Sequence, residues 1–303
     1  MKPLFTLICP VHNEEQAVSL FYNRVVKIFE KLLVQYECNL LFVDNSSTDS
    51  TLSIIKNLRV KDNRVYYFGL SANVGYQKSI EFALKNAVGD LLAIIDVDCE
   101  DPPEMIIEFL EVQKNGYDIV YGERVDREEG SLMKLARKIF YRITRFVSDE
   151  KFFVDMAEFC LMTSEVRDAI VQDHSSFPFI RASIGRVGFV FKGIPYKRHK
   201  RIAGDTHYNL FRMTTFAVAG ILSSSTLPLR FMAYSFPVVL VVSLVGIFSK
   251  SVAFAHHFET LLLFYISVGT MFNAIYIARI YKNGLGRPNA NLILRNTVKQ
   301  GPR

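Results

Sequence analysis

Tryptophan is absent from the 303-residue chain, so no motif built around an indole is open to it. Cysteine is scarce: Cys9, Cys38, Cys99 and Cys160 stand far apart and form no C-x-x-C pair. That excludes a zinc ribbon and a thioredoxin-like site. Scattered single thiols fit a reducing compartment, where they pack as small hydrophobes. Proline (10) and glycine (16) are too few for a collagen-like or low-complexity chain. The first residues do not read as a cleavable leader. The apolar run at residues 4–11 stops at His12-Asn13-Glu14-Glu15 with no small-residue cleavage pattern, and reads as a buried first strand.

Charge is missing in three places, at 213–229 and in two later runs. No charged residue occurs across 231–249, and none across 260–278. Each run approaches the roughly 20 residues that cross a bilayer core. The mean hydropathy of +0.17, high beside an ordinary charge content of 22%, has its source there. Lys250 and Glu259 bracket what reads as a short loop, so the two runs predict a transmembrane hairpin. Core helices of a large soluble protein are the weaker reading for these segments. Residues 210–230 are predicted to form an interfacial helix leading into the first span, because Ser223-Ser224-Ser225-Thr226 and Pro228 argue against a third span. Acids are absent from the tail at 281–303, which carries Lys282, Arg287, Arg295, Lys299 and Arg303. Lysine and arginine also crowd the stretch before the first span, from Arg181 to Arg230. The positive-inside rule then predicts both large flanks, and both termini, to be cytoplasmic. His256-His257 reads as ordinary loop polarity.

What is present is an alternating pattern. Short apolar runs at 4–9, 39–43, 65–68, 91–95 and 118–121 suit buried strands. Helical stretches at 14–33, 49–58, 76–87 and 105–113 lie between them, the last opened by Pro102-Pro103. This predicts an α/β, doubly wound, mostly parallel sheet over residues 1–209, with ligands bound beyond the carboxyl ends of the strands. Residues 131–147 interleave Lys134, Arg137, Lys138, Arg142 and Arg145 with Leu132, Leu135, Ile139, Phe140, Ile143 and Phe146. That is a basic amphipathic helix, either a solvated face over a core or a helix on an anionic membrane surface; the spans favour the membrane. The net charge of +6 does not by itself separate nucleic acid, membrane and phosphorylated substrates. A nucleic-acid binder is disfavoured because the positive charge clusters beside the spans and no RNA-binding motif occurs.

Five polar clusters follow strands or precede the membrane. Pro10-Val11-His12-Asn13-Glu14-Glu15 is a turn and helix start, with Asn13 as a candidate cap. Asp44-Asn45-Ser46-Ser47-Thr48-Asp49 puts an acid at a strand end, suited to ribose hydroxyls or a base N–H. In Asp96-Val97-Asp98-Cys99-Glu100-Asp101, alternate residues of an extended chain point the same way. Asp96, Asp98 and Glu100 can then converge as hard ligands for Mg²⁺ or Mn²⁺ held together with substrate phosphates. The bland alternative is an acidic turn capping the next helix. Asp155-Met156-Ala157-Glu158-Phe159 precedes a short apolar run. Arg198-His199-Lys200-Arg201-Ile202-Ala203-Gly204-Asp205-Thr206-His207-Tyr208 offers forked donors to a diphosphate, or juxtamembrane charge to lipid headgroups.

In this order the clusters resemble family 2 glycosyltransferases of the polyprenyl-phosphate type, over nearly the whole chain. The family's Pro-x-Tyr-Asn-Glu is similar to residues 10–14, with His12 for tyrosine. Its Asp-Asp-Gly-Ser-x-Asp is similar to 44–49, with Asn45 and Ser46 departing. Asn-x-Gly resembles Asn73-Val74-Gly75, and Asp-x-Asp-x-Gln-Asp-Pro-Pro resembles 96–103 with Glu100 for glutamine. Gly-x-Arg resembles Gly122-Glu123-Arg124, followed by Arg127, and Asp-x-Gly-Asp-Phe resembles 155–159. Arg-x-x-Gly-x-Ser-x-Tyr resembles 201–208, and the ending resembles 276–281 with Arg287-Pro288.

The resemblance implies a GT-A-like domain and an inverting transfer of a sugar, UDP-glucose being the favoured donor, to a polyprenyl phosphate such as undecaprenyl phosphate. It implies a bacterial inner-membrane enzyme of cell-envelope glycan modification, assembled as a tetramer. Donor binding falls to Pro10, His12, Asn13, Glu14, Asp44, Asn73, Gly75, Asp96 and Asp98, and metal binding to Asp96, Asp98 and Glu100. Arg198, Arg201, Thr206 and Tyr208 would take the acceptor phosphate. Asp98, Arg124, Arg127 and Arg201 would align and neutralise the diphosphate. Asp155 resembles the family's candidate base, although an anionic lipid phosphate needs no strong base. A processive polysaccharide synthase is disfavoured, because its Gln-x-x-Arg-Trp motif needs the tryptophan this chain lacks. A non-catalytic, membrane-anchored sugar-nucleotide sensor or scaffold is the alternative from another class.

Overall fold

The computed structural model describes residues 1–125, 156–172, 180–203, 225–248, 252–284 and 291–301. The predicted helix at 131–147, Arg127, Asp155, Thr206, Tyr208 and residues 210–224 lie outside them.

Eight strands form one mixed sheet, in the order β7-β5-β6-β4-β1-β2-β3-β8. They are β1 (Leu4–Val11), β2 (Glu37–Asp44), β3 (Val65–Leu70), β4 (Leu91–Ile94), β5 (Ile119–Val125), β6 (Met156–Thr163), β7 (Phe191–Lys197) and β8 (Leu292–Val298). The central strands are apolar because both faces are covered, and every residue of β1 is buried. Along β1, Phe5, Leu7 and Cys9 pack on one face of the sheet and Ile8 on the other. The first face takes α1 (Val18–Leu32), α2 (Thr51–Lys61) and α4 (Met105–Gln113), around Phe21, Phe29, Phe42, Phe109 and Phe159. The second takes α3 (Tyr76–Asn86), α5 (Ser164–Val171) and α6 (Ile180–Arg186), around Phe68, Ile80, Leu84, Met162 and Val166. In α1 the spacing Val18, Phe21, Val25, Ile28, Phe29, Leu32 is the buried stripe.

Parallel pairing joins β4, β1, β2 and β3, with Val11 opposite Asp44 and Ile8 opposite Ile94. The carboxyl ends of these strands therefore lie side by side, and the polar clusters follow them. Beyond β4 the sheet turns antiparallel through β6 and regains a parallel pair in β5 and β7.

Two long helices, α7 (Leu227–Ile247) and α8 (Val252–Gly284), are long and apolar enough to cross a membrane. Pro228 opens α7, where a missing N–H costs nothing, so residues 227–230 join the first long helix and not a separate interfacial one. The loop predicted to reach Glu259 is also shorter: His256 to Glu259 lie inside α8, with His256 Nδ1 3.4 Å from Glu259 Oε2 one turn apart. Nothing from Val252 onward breaks a helix before Gly284. Small residues let the helices approach, since a Cβ on Gly246 would meet the Phe258 ring at 2.6 Å. The Tyr265 hydroxyl lies 2.9 Å from Ser235 Oγ across the pair, and the Tyr276 hydroxyl donates to Ser225 O at 2.6 Å.

The region read as a basic tail does not simply trail away. After α8 the chain supplies β8, antiparallel to β3 at the edge of the sheet. Ser71 N donates to Asn291 O at 3.0 Å. Lys56 Nζ donates to Asn296 Oδ1 at 2.8 Å. Gln300 Nε2 donates to Thr6 Oγ1 at 3.0 Å, and Val88 N donates to Gln300 Oε1 at 2.8 Å.

Candidate active site

The loops after β1 and β2 are stitched to each other. Asn13 has φ 55 and Ser46 φ 61, the left-handed region that L residues enter only when their surroundings hold them there. Asn13 N donates to Ser47 Oγ at 3.0 Å, and Asn13 Oδ1 accepts from Thr48 N at 2.8 Å. Glu14 N donates to Thr51 Oγ1 at 2.8 Å. Asn13 therefore does not cap α1, whose first turn has no side-chain cap; it joins the first loop to the second. Asp44 is buried at the end of β2, and its Oδ1 accepts from Ser47 N at 3.2 Å. Burial raises the Asp44 pKa, against the bonds from Ser47 and the nearby His12.

After β3, Asn73 ties the loops together. Asn45 Nδ2 donates to Asn73 Oδ1 at 3.0 Å, and Asn73 Nδ2 lies 3.0 Å from His12 Nε2. Gly75, with φ 85, makes the turn into α3 that a side chain would strain.

The acidic loop after β4 is not the extended segment the alternation predicted. Cys99 has φ 56, which turns the chain. Asp96 accepts from the Tyr76 hydroxyl at 2.6 Å. Burial first, then the charges of Asp98 and Asp101, push the Asp96 carboxyl up to about 7. Asp98 Oδ1 accepts from Glu100 N at 3.1 Å, and its Oδ2 lies 3.4 Å from Arg201 Nη1. Glu100 is paired with Arg198. Among the described residues no three acid, histidine or cysteine side chains assemble around a common metal position. The predicted triad of Asp96, Asp98 and Glu100 is thus not brought together as one cage.

The basic segment after β7 lies along this acidic loop. His199 N donates to Glu100 O at 2.8 Å and Ile202 N to Asp98 O at 2.9 Å. Arg201 reaches Glu14 Oε2 at 2.5 Å and donates through Nε to Ala203 O at 2.7 Å. One guanidinium therefore joins the end of β1 to the acidic loop. Arg124, predicted to face the phosphates, is engaged inside the domain. Its Nη2 donates to Asp101 Oδ2 at 3.0 Å and its Nε to the Tyr196 hydroxyl at 3.1 Å, while that hydroxyl donates to Asp101. Burial works against its charge, yet Asp101 raises the Arg124 pKa. Arg198 Nε lies 3.6 Å from Asp101 Oδ1.

The motifs did not single out Tyr76, Gln77, Asp101 or Tyr196 as parts of the site, and Glu158 entered only as a motif letter. Gln77 Nε2 donates to Glu158 Oε1 at 2.5 Å beside the Tyr76–Asp96 pair. An acid following β4 and a second one on β6, paired antiparallel to it, were the available signal.

Residues 6–170 match the family described as "Glycosyl transferase family 2". The chain is 34% identical over 252 residues to a prophage bactoprenol glucosyl transferase homolog of Escherichia coli K12, covering 83% of this chain and 78% of that one. It is 33% identical over 232 residues to the uncharacterized glycosyltransferase YkcC of Bacillus subtilis, covering 76% of this chain and 71% of that one. Mannosyl-3-phosphoglycerate synthase from Rubrobacter xylanophilus shares the fold, with a TM-score of 0.50 at 16% identity over 73% of each chain.

Proposed function

From the premise that the chain belongs to glycosyl transferase family 2, we propose that it moves a sugar from a nucleotide-diphosphate donor, UDP-glucose, to a polyprenyl phosphate at the membrane surface, with inversion. The observation that carries this reading is the position of Arg201. Its guanidinium is held between Glu14 and Asp98 at the carboxyl ends of β1 and β4, on the segment that leads toward two membrane-length helices. An arginine so placed can pass forked hydrogen bonds from carboxylates to an entering diphosphate.

Glu14 and Asp44 hold the nucleoside side of the donor, and Asn13 keeps their two loops in register. Arg201 takes the leaving diphosphate, and alignment by such donors accounts for most of the acceleration. Arg124 acts one layer back, fixing Asp101 and through it the acidic loop. The donor set fits a divalent ion held by one or two carboxylates and substrate phosphates, and does not fit an all-protein cage. Asp98, whose Oδ2 has only a long contact to Arg201, would hold Mg²⁺ or Mn²⁺, with Asp96 behind it. Such an ion supplies positive charge against the leaving diphosphate.

The acceptor phosphate is already anionic and attacks the sugar directly; the tail of a polyprenyl acceptor stays in the bilayer, at about 0.8 kcal/mol per buried CH₂. The relatives named as bactoprenol glucosyl transferases support this acceptor. The return of the chain to β8 supports a hairpin with both ends on one side, the cytoplasmic one by the distribution of lysine and arginine.

The test is transfer of labelled sugar from a panel of UDP- and GDP-sugars to undecaprenyl phosphate in detergent with Mg²⁺ or Mn²⁺, beside Asp98→Ala. Metal-dependent labelled lipid from UDP-glucose, lost in the variant, is expected. Tight nucleotide binding without product across the panel would sink the transferase reading.

A further inference from the structure

The chain leaves the sheet for the long helices, and returns from them, at the same rim. Strand β7 runs parallel to β5, with Lys197 opposite Val125. Both β5 and β4 are antiparallel to β6. The carboxyl end of β7 therefore lies on the rim shared by the carboxyl ends of β1 to β4. Strand β8 runs the other way, with Leu292 opposite Leu70, so it begins on that rim too. From Gly284, the last residue of α8, the chain reaches Asn291 in a span of at most about 25 Å. With α8 in a bilayer, this rim is the part of the sheet tied nearest to the headgroups.

The side chains that the rim offers are sorted along residues 197–202. The arginines are engaged within the domain. Arg198 pairs with Glu100, and its Nε lies 3.6 Å from Asp101 Oδ1. Arg201 is held by Glu14, Asp98 and Ala203 O. Lys197, His199 and Lys200 are exposed. Ile202 is 36% exposed, and Val125, opposite Lys197, is 40% exposed. The acids of the loop are thus matched by the arginines, and the lysine charge is left for something outside. Lysines beside exposed apolar side chains suit an interface, where the cations meet headgroup phosphates and the apolar groups enter the acyl boundary.

We propose that Lys197, Lys200, Ile202 and Val125 form a docking surface for the anionic phospholipid headgroups of the bilayer, separate from the site that takes the acceptor. Charge complementarity and continuity with the two long helices identify the occupant, and the docking rests on the reading of those helices as spans. A soluble anion could neutralise the lysines, but it would leave Ile202 and Val125 in water. The surface is mounted on the acidic loop by two backbone bonds, His199 N to Glu100 O and Ile202 N to Asp98 O. Docking therefore sets the height of that loop above the headgroups.

The test uses the full-length protein in nanodiscs of phosphatidylcholine, alone or with phosphatidylglycerol added. Ile202→Cys carries an environment-sensitive fluorophore; the native cysteines are buried, so the introduced thiol is the accessible one. Phosphatidylglycerol should shift the emission to the blue and protect the label from acrylamide, a neutral quencher. Lys197→Gln combined with Lys200→Gln should return the label to water, and so should salt at about 1 M, which screens the attraction. Inorganic phosphate added to the phosphatidylcholine discs should leave the label in water.

A label quenched equally in both kinds of disc overturns the proposal. So does protection that survives loss of both lysines, or that phosphate alone produces, since the lysines would then serve a soluble anion. A second label at Phe264→Cys, on an exposed position of α8, is expected to be protected in both discs. If that label is quenched as in water, the spanning reading itself fails, and the docking surface with it. No sugar transfer is measured, so the result does not depend on the donor or the acceptor.

Discussion

Removing the Arg201 guanidinium would leave Glu14 and Asp98 without the cation between them and the diphosphate without a forked donor. Arg201→Lys keeps the charge but loses the fork, and we expect kcat/KM for transfer to fall by about 10²-fold with the melting temperature nearly unchanged. Tyr196→Phe acts on stability instead. The hydroxyl serves both Asp101 and Arg124 in a buried cluster, and its loss should cost about 1–3 kcal/mol in denaturant titration. Asp62 gives a pH signature. Burial favours its neutral form, but bonds from Arg64 and Tyr22 prevail and hold its pKa below the ordinary 3.8. The unfolded chain therefore binds more protons there, and stability falls as pH drops from the ordinary carboxylate range through the folded value. Asp62→Asn should be less stable at pH 7 and lose less than the parent on acidification, read by melting curves from pH 3 to pH 7. At this scale the places of Glu14, Asp44 and Asp98 beyond strand ends, and of Arg201 in a basic segment, were legible, while their roles are the ones proposed above. Tyr76 and Tyr196 were not, because a buried hydroxyl bonded to an acid leaves no pattern in the chain. The left-handed turn at Cys99 and the pairing of Glu100 with Arg198 had no signal in the alternation of the chain.

Among the elements, the short apolar runs announced β1 to β5 and the amphipathic spacing announced α1 to α4. The edge strands were hidden. β7 alternates exposed and buried residues and contains Pro195, and β8 carries arginine and asparagine among its apolar residues, as edges that must not aggregate tend to do. Their pairing is decided by partners far away in sequence. Gly69 shows how tight the β3–β8 seam is, since a Cβ there would lie 2.6 Å from the Asn296 carbonyl oxygen. Gly69→Ala should destabilise the protein by about 1–3 kcal/mol, as overpacking does, and speed hydrogen exchange at the β3 amides facing β8.

For the whole molecule, the hairpin and the returning strand make one prediction about sidedness. A cysteine introduced at Ser249, between α7 and α8, and one at Asn291, before β8, should be labelled by an impermeant maleimide from opposite faces of sealed vesicles; labelling from one face would refute the hairpin. The returning strand also sets an order of manufacture. Lys56 and Thr6 are bonded to Asn296 and Gln300, separated from them by 240 and 294 positions. A ribosome makes both long helices before it makes these partners. Until then the edge of β3 is open on the nascent chain, next to the loop that carries Asn73. The sheet is therefore closed only after both long helices have been made, and a chain stalled before β8 would be left with β3 as an open edge.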